Sequence, residues 1–102
     1  MADALENTIR SISGTEISGR RVQVVVDLDE KHTKLNLAMI LTDVLGNEIS
    51  RSLIMGMIDT HVDFTLHIRV PDACSPFTLT GITFIEEDQP IDTKSVEVKN
   101  LA

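Results

Sequence analysis

From residue 20 onward the chain alternates between apolar and polar positions with a period of two. In segment 20–28, Val22, Val24, Val26 and Leu28 share one side, and Gln23, Val25 and Asp27 share the other. That alternation predicts a half-buried strand. Segment 34–42 repeats it, with Leu35, Leu37, Met39 and Leu41 against Lys34, Asn36, Ala38 and Ile40. Segment 47–55 places Ile49, Leu53 and Met55 on one side, interrupted by Arg51. The cleanest alternation is 60–70: Val62, Phe64, Leu66, Ile68 and Val70 face a core, and His61, Asp63, Thr65, His67 and Arg69 face solvent. Segment 77–85 is apolar on both sides, which suits a central strand, and 93–99 closes the series with Val96 and Val98 inward.

Turn chemistry separates these runs. Residues 29–33 form a polar loop, and Gly46 sits in a tight connection where glycine is free to take positive φ. Gly56 and Asp59 bracket the next link, and 71–76 begins and ends on proline, which removes a ladder donor. Short links between strands predict antiparallel neighbours. The fold class expected is all-β, an antiparallel sandwich of about six to seven strands over residues 20–102. Residues 1–19 have two readings. Leu5, Ile9 and Ile12 suit a short amphipathic helix ending near Gly14. Alternatively, 9–13 or 15–18 forms a short edge strand, with Gly14 and Gly19 as turns.

Segment 37–49 reads Leu-Ala-Met-Ile-Leu-Thr-Asp-Val-Leu-Gly-Asn-Glu-Ile. It resembles the strand, Asp-x-x-Gly-x-Glu turn, strand phrase of immunoglobulin-like and fibronectin-III-like modules. The resemblance spans residues 20–99 and implies an immunoglobulin-like sandwich. True immunoglobulin domains carry a Cys–Trp–Cys core and a tyrosine corner. This chain has no Trp, no Tyr and one Cys, so the resemblance carries over no functional residue.

Composition changes the picture in two respects. With three Phe among 102 residues, the core must be built from Val, Ile, Leu and Met. The formal charge of −7 argues against nucleic acid and anionic membrane as partners, since both need clustered Lys and Arg. A lone cysteine, Cys74, gives no intrachain disulfide. No signal peptide or apolar span is visible, so a cytoplasmic location is expected, for a whole protein or for an excised domain.

Candidate chemistry is sparse. His61 and His67 share a strand face roughly 20 Å apart, too far to ligate one metal. Asp27, Asp29 and Glu30 form one acidic cluster, and Glu86, Glu87 and Asp88 another. Were both loops to meet at one end, they would offer oxygen ligands to calcium, although no ordered calcium motif is present. Cys74 has Asp72 nearby and no basic neighbour closer than Arg69, so it lacks the setting of a reactive thiolate. No cofactor fingerprint or nucleophile–base pair appears. The positive signal is an apolar surplus: Leu53, Ile54, Met55, Met57 and Ile58 in one uncharged run, with Val25 and Ile40 on the less buried parity of their strands. Exposed apolar clusters with Met mark interfaces. The functional expectation is a non-enzymatic structural or protein-interaction module without cofactors. It would act as a homo-oligomer or by binding another protein through those seven residues. A calcium-dependent binding module is the alternative, and a small enzyme ranks third.

Overall fold

The computed structural model describes residues 8–17, 20–29, 35–57 and 59–100. Among these are eight strands and no helix. They are β1 (Ile9–Ile17), β2 (Arg21–Leu28), β3 (Leu35–Thr42), β4 (Glu48–Met57), β5 (His61–His67), β6 (Thr78–Phe84), β7 (Pro90–Glu97) and β8 (Lys99–Asn100). They build two four-stranded sheets, ordered β5-β2-β1-β8 and β4-β3-β6-β7. Every pairing is antiparallel except the short parallel contact of β1 with β8. The chain is an all-β sandwich.

The period-two pattern decides which side chains meet. Val22, Val24, Val26 and Leu28 project from β2 toward Leu37, Met39 and Leu41 of β3, and these join Ile12, Leu66, Ile68, Phe77 and Leu79 in one buried cluster. Burial of each such side chain contributes roughly 1.5–3 kcal/mol. The alternation over 60–70 is as expected: Leu66 and Ile68 are buried, Val62, Phe64 and Val70 pack against the cluster, and His61, Asp63, His67 and Arg69 are exposed. Strand β6 lies between β3 and β7, as its two-sided apolar character requires. Gly81 on β6 leaves room for this packing, since a Cβ there would stand 2.7 Å from Ile12 Cδ1, which would have to shift.

Of the two readings for the N-terminal segment, residues 9–17 take the strand, and Leu5 lies outside the described residues. Ile9 and Ile12 reach the core from β1. A register shift between Ile9 and Ser11 makes an alternating strand look helically spaced. Strand β1 is not a free edge along its whole length, because Thr15 and Glu16 pair with β8. The last strand of the sequence reading divides in two. Residues 90–97 pair with β6, then Val98 turns inward and its N–H donates to the Phe77 carbonyl (2.9 Å), so that Lys99 and Asn100 join the other sheet. Two polar ties link the sheets where β1 enters. The buried hydroxyls of Thr8 and Thr83 hydrogen bond to each other, and Ile9 N–H donates to the Asp92 carboxylate at 3.0 Å.

Candidate interaction surface

The apolar surplus resolves into inward and outward residues once the register of β4 is known. Two irregularities break its alternation against β3, between Leu41 and Thr42 and between Leu35 and Leu37. Each moves the following side chains to the opposite face. Ile49 and Ile54 pack against the core as a result, and Met57 is buried at 6 % exposure. Leu53 and Met55 point the other way, 53 % and 63 % exposed. Ile54 and Met57, expected at an interface, are therefore core-side residues. Ile58 lies outside the described residues. Val25 is half-buried on β2, opposite Asp63, in the other sheet, so it cannot join a patch on β4. Ile40 is half-buried on β3, opposite Arg51 of β4, and belongs to the same outer face as Leu53.

Cross-strand pairing extends that face. Leu53 stands opposite Ala38, Ala38 opposite Ile82, and Ile82 opposite Thr93, across all four strands. In the next row Asn36 stands opposite Phe84, and Phe84 opposite Pro90. Ala38 is the smallest side chain in the middle of this grid. The surface dips there into a groove of about 260 Å³ walled by Leu53, Ile82 and Phe84, with Arg51 and Glu87 also lining it. Ile85, just past the end of β6, is 48 % exposed.

The face is held in shape by its polar residues. Asn36 accepts the Gly56 N–H at 2.8 Å and donates to the Ile85 carbonyl at 3.3 Å, so one side chain ties the end of β4 to the end of β6. Gly56 has φ +64, a left-handed conformation that a side chain disfavours. The link from β3 to β4 turns on Asp43. Its carboxylate accepts the N–H groups of Leu45 (3.0 Å) and Asn47 (2.8 Å), and Gly46 adopts φ +88, as its place in the sequence predicted. The backbone donor at Asn47 holds the Asp43 carboxyl below the usual carboxylate value. Beyond the turn, Arg51 donates to both carboxylate oxygens of Glu48, at 3.0 and 2.8 Å.

Other candidate chemistry is dispersed. His61 lies on the outer face of the β5-β2-β1-β8 sheet, its Nδ1 2.7 Å from Asp27 and its Nε2 3.2 Å from Asp63. The hydrogen bond that His61 donates to Asp27, then the one to Asp63, raises the His61 pKa. The two ring nitrogens point at different carboxylates, so the three groups do not converge on one ion. Of the acidic clusters, Asp27 is engaged with His61, Glu86 to Asp88 sit in an exposed turn, and Glu30 lies outside the described residues. Among the described residues no three His, Cys, Asp or Glu side chains could hold a metal ion. Cys74 is exposed, and its Sγ hydrogen bonds to the Asp72 carbonyl at 3.4 Å. A larger open cavity of about 740 Å³ lies where β1 meets β8, lined by Glu16, Glu97 and Lys99 among others. No described helix is long and apolar enough to cross a membrane.

No protein-family model and no curated protein sequence matches this chain. The fold, however, has solved counterparts. An FMN-binding β-glucuronidase from Facaelibacterium prausnitzii is similar over 93 % of this chain and 15 % of its own, with TM-score 0.60 and 12 % identity. A glycosyl hydrolase family 2 member from Bacteroides cellulosilyticus is similar over 89 % of this chain and 15 % of its own, with TM-score 0.56 and 15 % identity. A β-glucuronidase from Ruminococcus gnavus aligns over 90 % of this chain and 15 % of its own, with TM-score 0.51 and 10 % identity. At such identities the likeness is one of fold. This chain spans about 15 % of the length of those enzymes.

Proposed function

We propose that this chain is a non-enzymatic interaction module of the immunoglobulin-like, fibronectin-III-like type, and that its working surface is the outer face of the β4-β3-β6-β7 sheet. The observation that carries this reading is the contiguity of Leu53, Ile82 and Phe84 around the groove over Ala38, with Met55 exposed beyond Leu53 on the same strand. Isolated exposed apolar residues are ordinary on protein surfaces, whereas a continuous patch rimmed by polar groups marks a binding surface. The polar groups here are Arg51 and Glu87, which line the groove, Glu48, which pairs with Arg51, and Thr93, opposite Ile82. Two further observations support the reading. The same sandwich occurs as about 15 % of much longer chains, the pattern of a module that works beside other domains. The acidic composition favours protein over nucleic acid as the partner.

The test is the binding of a fluorescent apolar probe, measured at a concentration where the protein is monomeric. The wild-type chain binds the probe, and the double variant Leu53→Lys, Met55→Lys loses most of the signal while keeping its fold. Equal binding by both proteins contradicts the reading.

A further inference from the structure

The occupant of this face follows from how its charges are placed. The groove over Ala38 has Arg51 toward one end and Glu87, from the turn between β6 and β7, toward the other. A two-fold axis lying in the plane of the face, and crossing the groove at its middle, exchanges those ends. It sets Arg51 of each copy against Glu87 of the other. An axis along the groove would instead oppose like charges, a costly juxtaposition. We propose that the partner is a second copy of this chain, joined face to face in a symmetric dimer with two Arg51–Glu87 contacts. This inference rests on the reading of the face given above.

Arg51 is able to serve both carboxylates. Its guanidinium carries five N–H donors, and Glu48 engages only Nε and Nη2. An isologous interface needs one self-complementary patch, which an apolar centre with opposite charges at its ends supplies. Size sets the strength. From strand spacing and rise, the four-stranded face measures roughly 20 by 25 Å, or about 500 Å² per copy. Stable specific pairs bury about 800 Å² per partner, so this is a weak, reversible dimer. The net charge of −7 on each copy works in the same direction.

Sedimentation equilibrium of the full chain, over a concentration series reaching the millimolar range, tests the proposal. The wild type shows a reversible monomer–dimer equilibrium. Arg51→Glu alone and Glu87→Arg alone each weaken it by at least about tenfold. An equimolar mixture of the two variants recovers dimer, because each contact then again joins an arginine to a glutamate. A wild type that stays monomeric throughout overturns the proposal, and so does a mixture that associates no better than its components. Retention of the apolar-probe signal by a strictly monomeric wild type, with its loss in Leu53→Lys, Met55→Lys, would leave the face as a binding surface and exclude only the second copy.

Discussion

His61 and Asp27 face each other across the β2–β5 pair, with Nδ1 2.7 Å from Oδ1. The second ring nitrogen approaches Asp63, so both nitrogens meet carboxylates, which only accept hydrogen bonds. This arrangement favours the imidazolium. The His61 pKa is raised chiefly by the hydrogen bond it donates to Asp27, and the Asp27 pKa is lowered chiefly by accepting that same bond. His61 therefore contributes stability that is full below its ordinary value of 6.5 and is lost as pH rises through the raised value. Asp27 contributes stability that is present above its ordinary value of 3.8 and is lost as pH falls through the lowered one. The pair acts fully between those two ordinary values. In an NMR titration, His61 should titrate above an ordinary histidine, and Asp27→Asn should move it back toward 6.5. An unchanged His61 titration in the variant would show that the contact is absent in solution.

Gly56→Ala tests the conformation that turns Leu53 and Met55 outward. No atom lies within 4 Å of the Cβ position, so any cost comes from φ +64 and not from a clash. A left-handed residue with a side chain costs roughly 1–2 kcal/mol. Denaturant unfolding should show a loss of that size. No loss would mean that the backbone there takes another conformation.

Most of the core was legible in the sequence, the N-terminal strand was legible only as one of two readings, and the β4 face was not legible. On β2, β3 and β5 the alternation runs unbroken, so Val24, Met39 and Leu66 are core residues on pattern alone. On β4 a single extra residue at each irregularity reverses parity. Ile49 and Leu53, four residues apart and so on one face of an unbroken strand, consequently end on opposite faces. Bulges are set by tertiary pairing, and the one local sign was Gly56. Ala38 gave no signal, because a small residue becomes a groove floor only when larger side chains flank it on neighbouring strands. The His61–Asp27 contact joins residues 34 apart and depends on the β2–β5 register, which strand periodicity does not specify.

The buried hydroxyl pair between the sheets makes a separate prediction. Thr8 and Thr83 are both inaccessible to water, and each hydroxyl satisfies the other. Thr83→Val keeps the shape and leaves the Thr8 hydroxyl unpartnered, at a cost of about 1–3 kcal/mol. Adding Thr8→Val removes the orphaned group and should recover much of the loss. A double variant as unstable as the sum of its parts would indicate that the hydroxyls do not depend on each other.

The central claim is that β4 turns Leu53 and Met55 away from the core while Met57 turns into it. Denaturant unfolding of the Leu53→Lys, Met55→Lys variant, with Met57→Lys beside it, tests this most directly. Exposed substitutions usually change stability by no more than about 0.5 kcal/mol each, so the double variant should stay within about 1 kcal/mol of wild type. Met57→Lys should lose several times more, because it places a charge in an apolar interior. A loss of about 3 kcal/mol or more in the double variant, the size of a core truncation, would contradict the account.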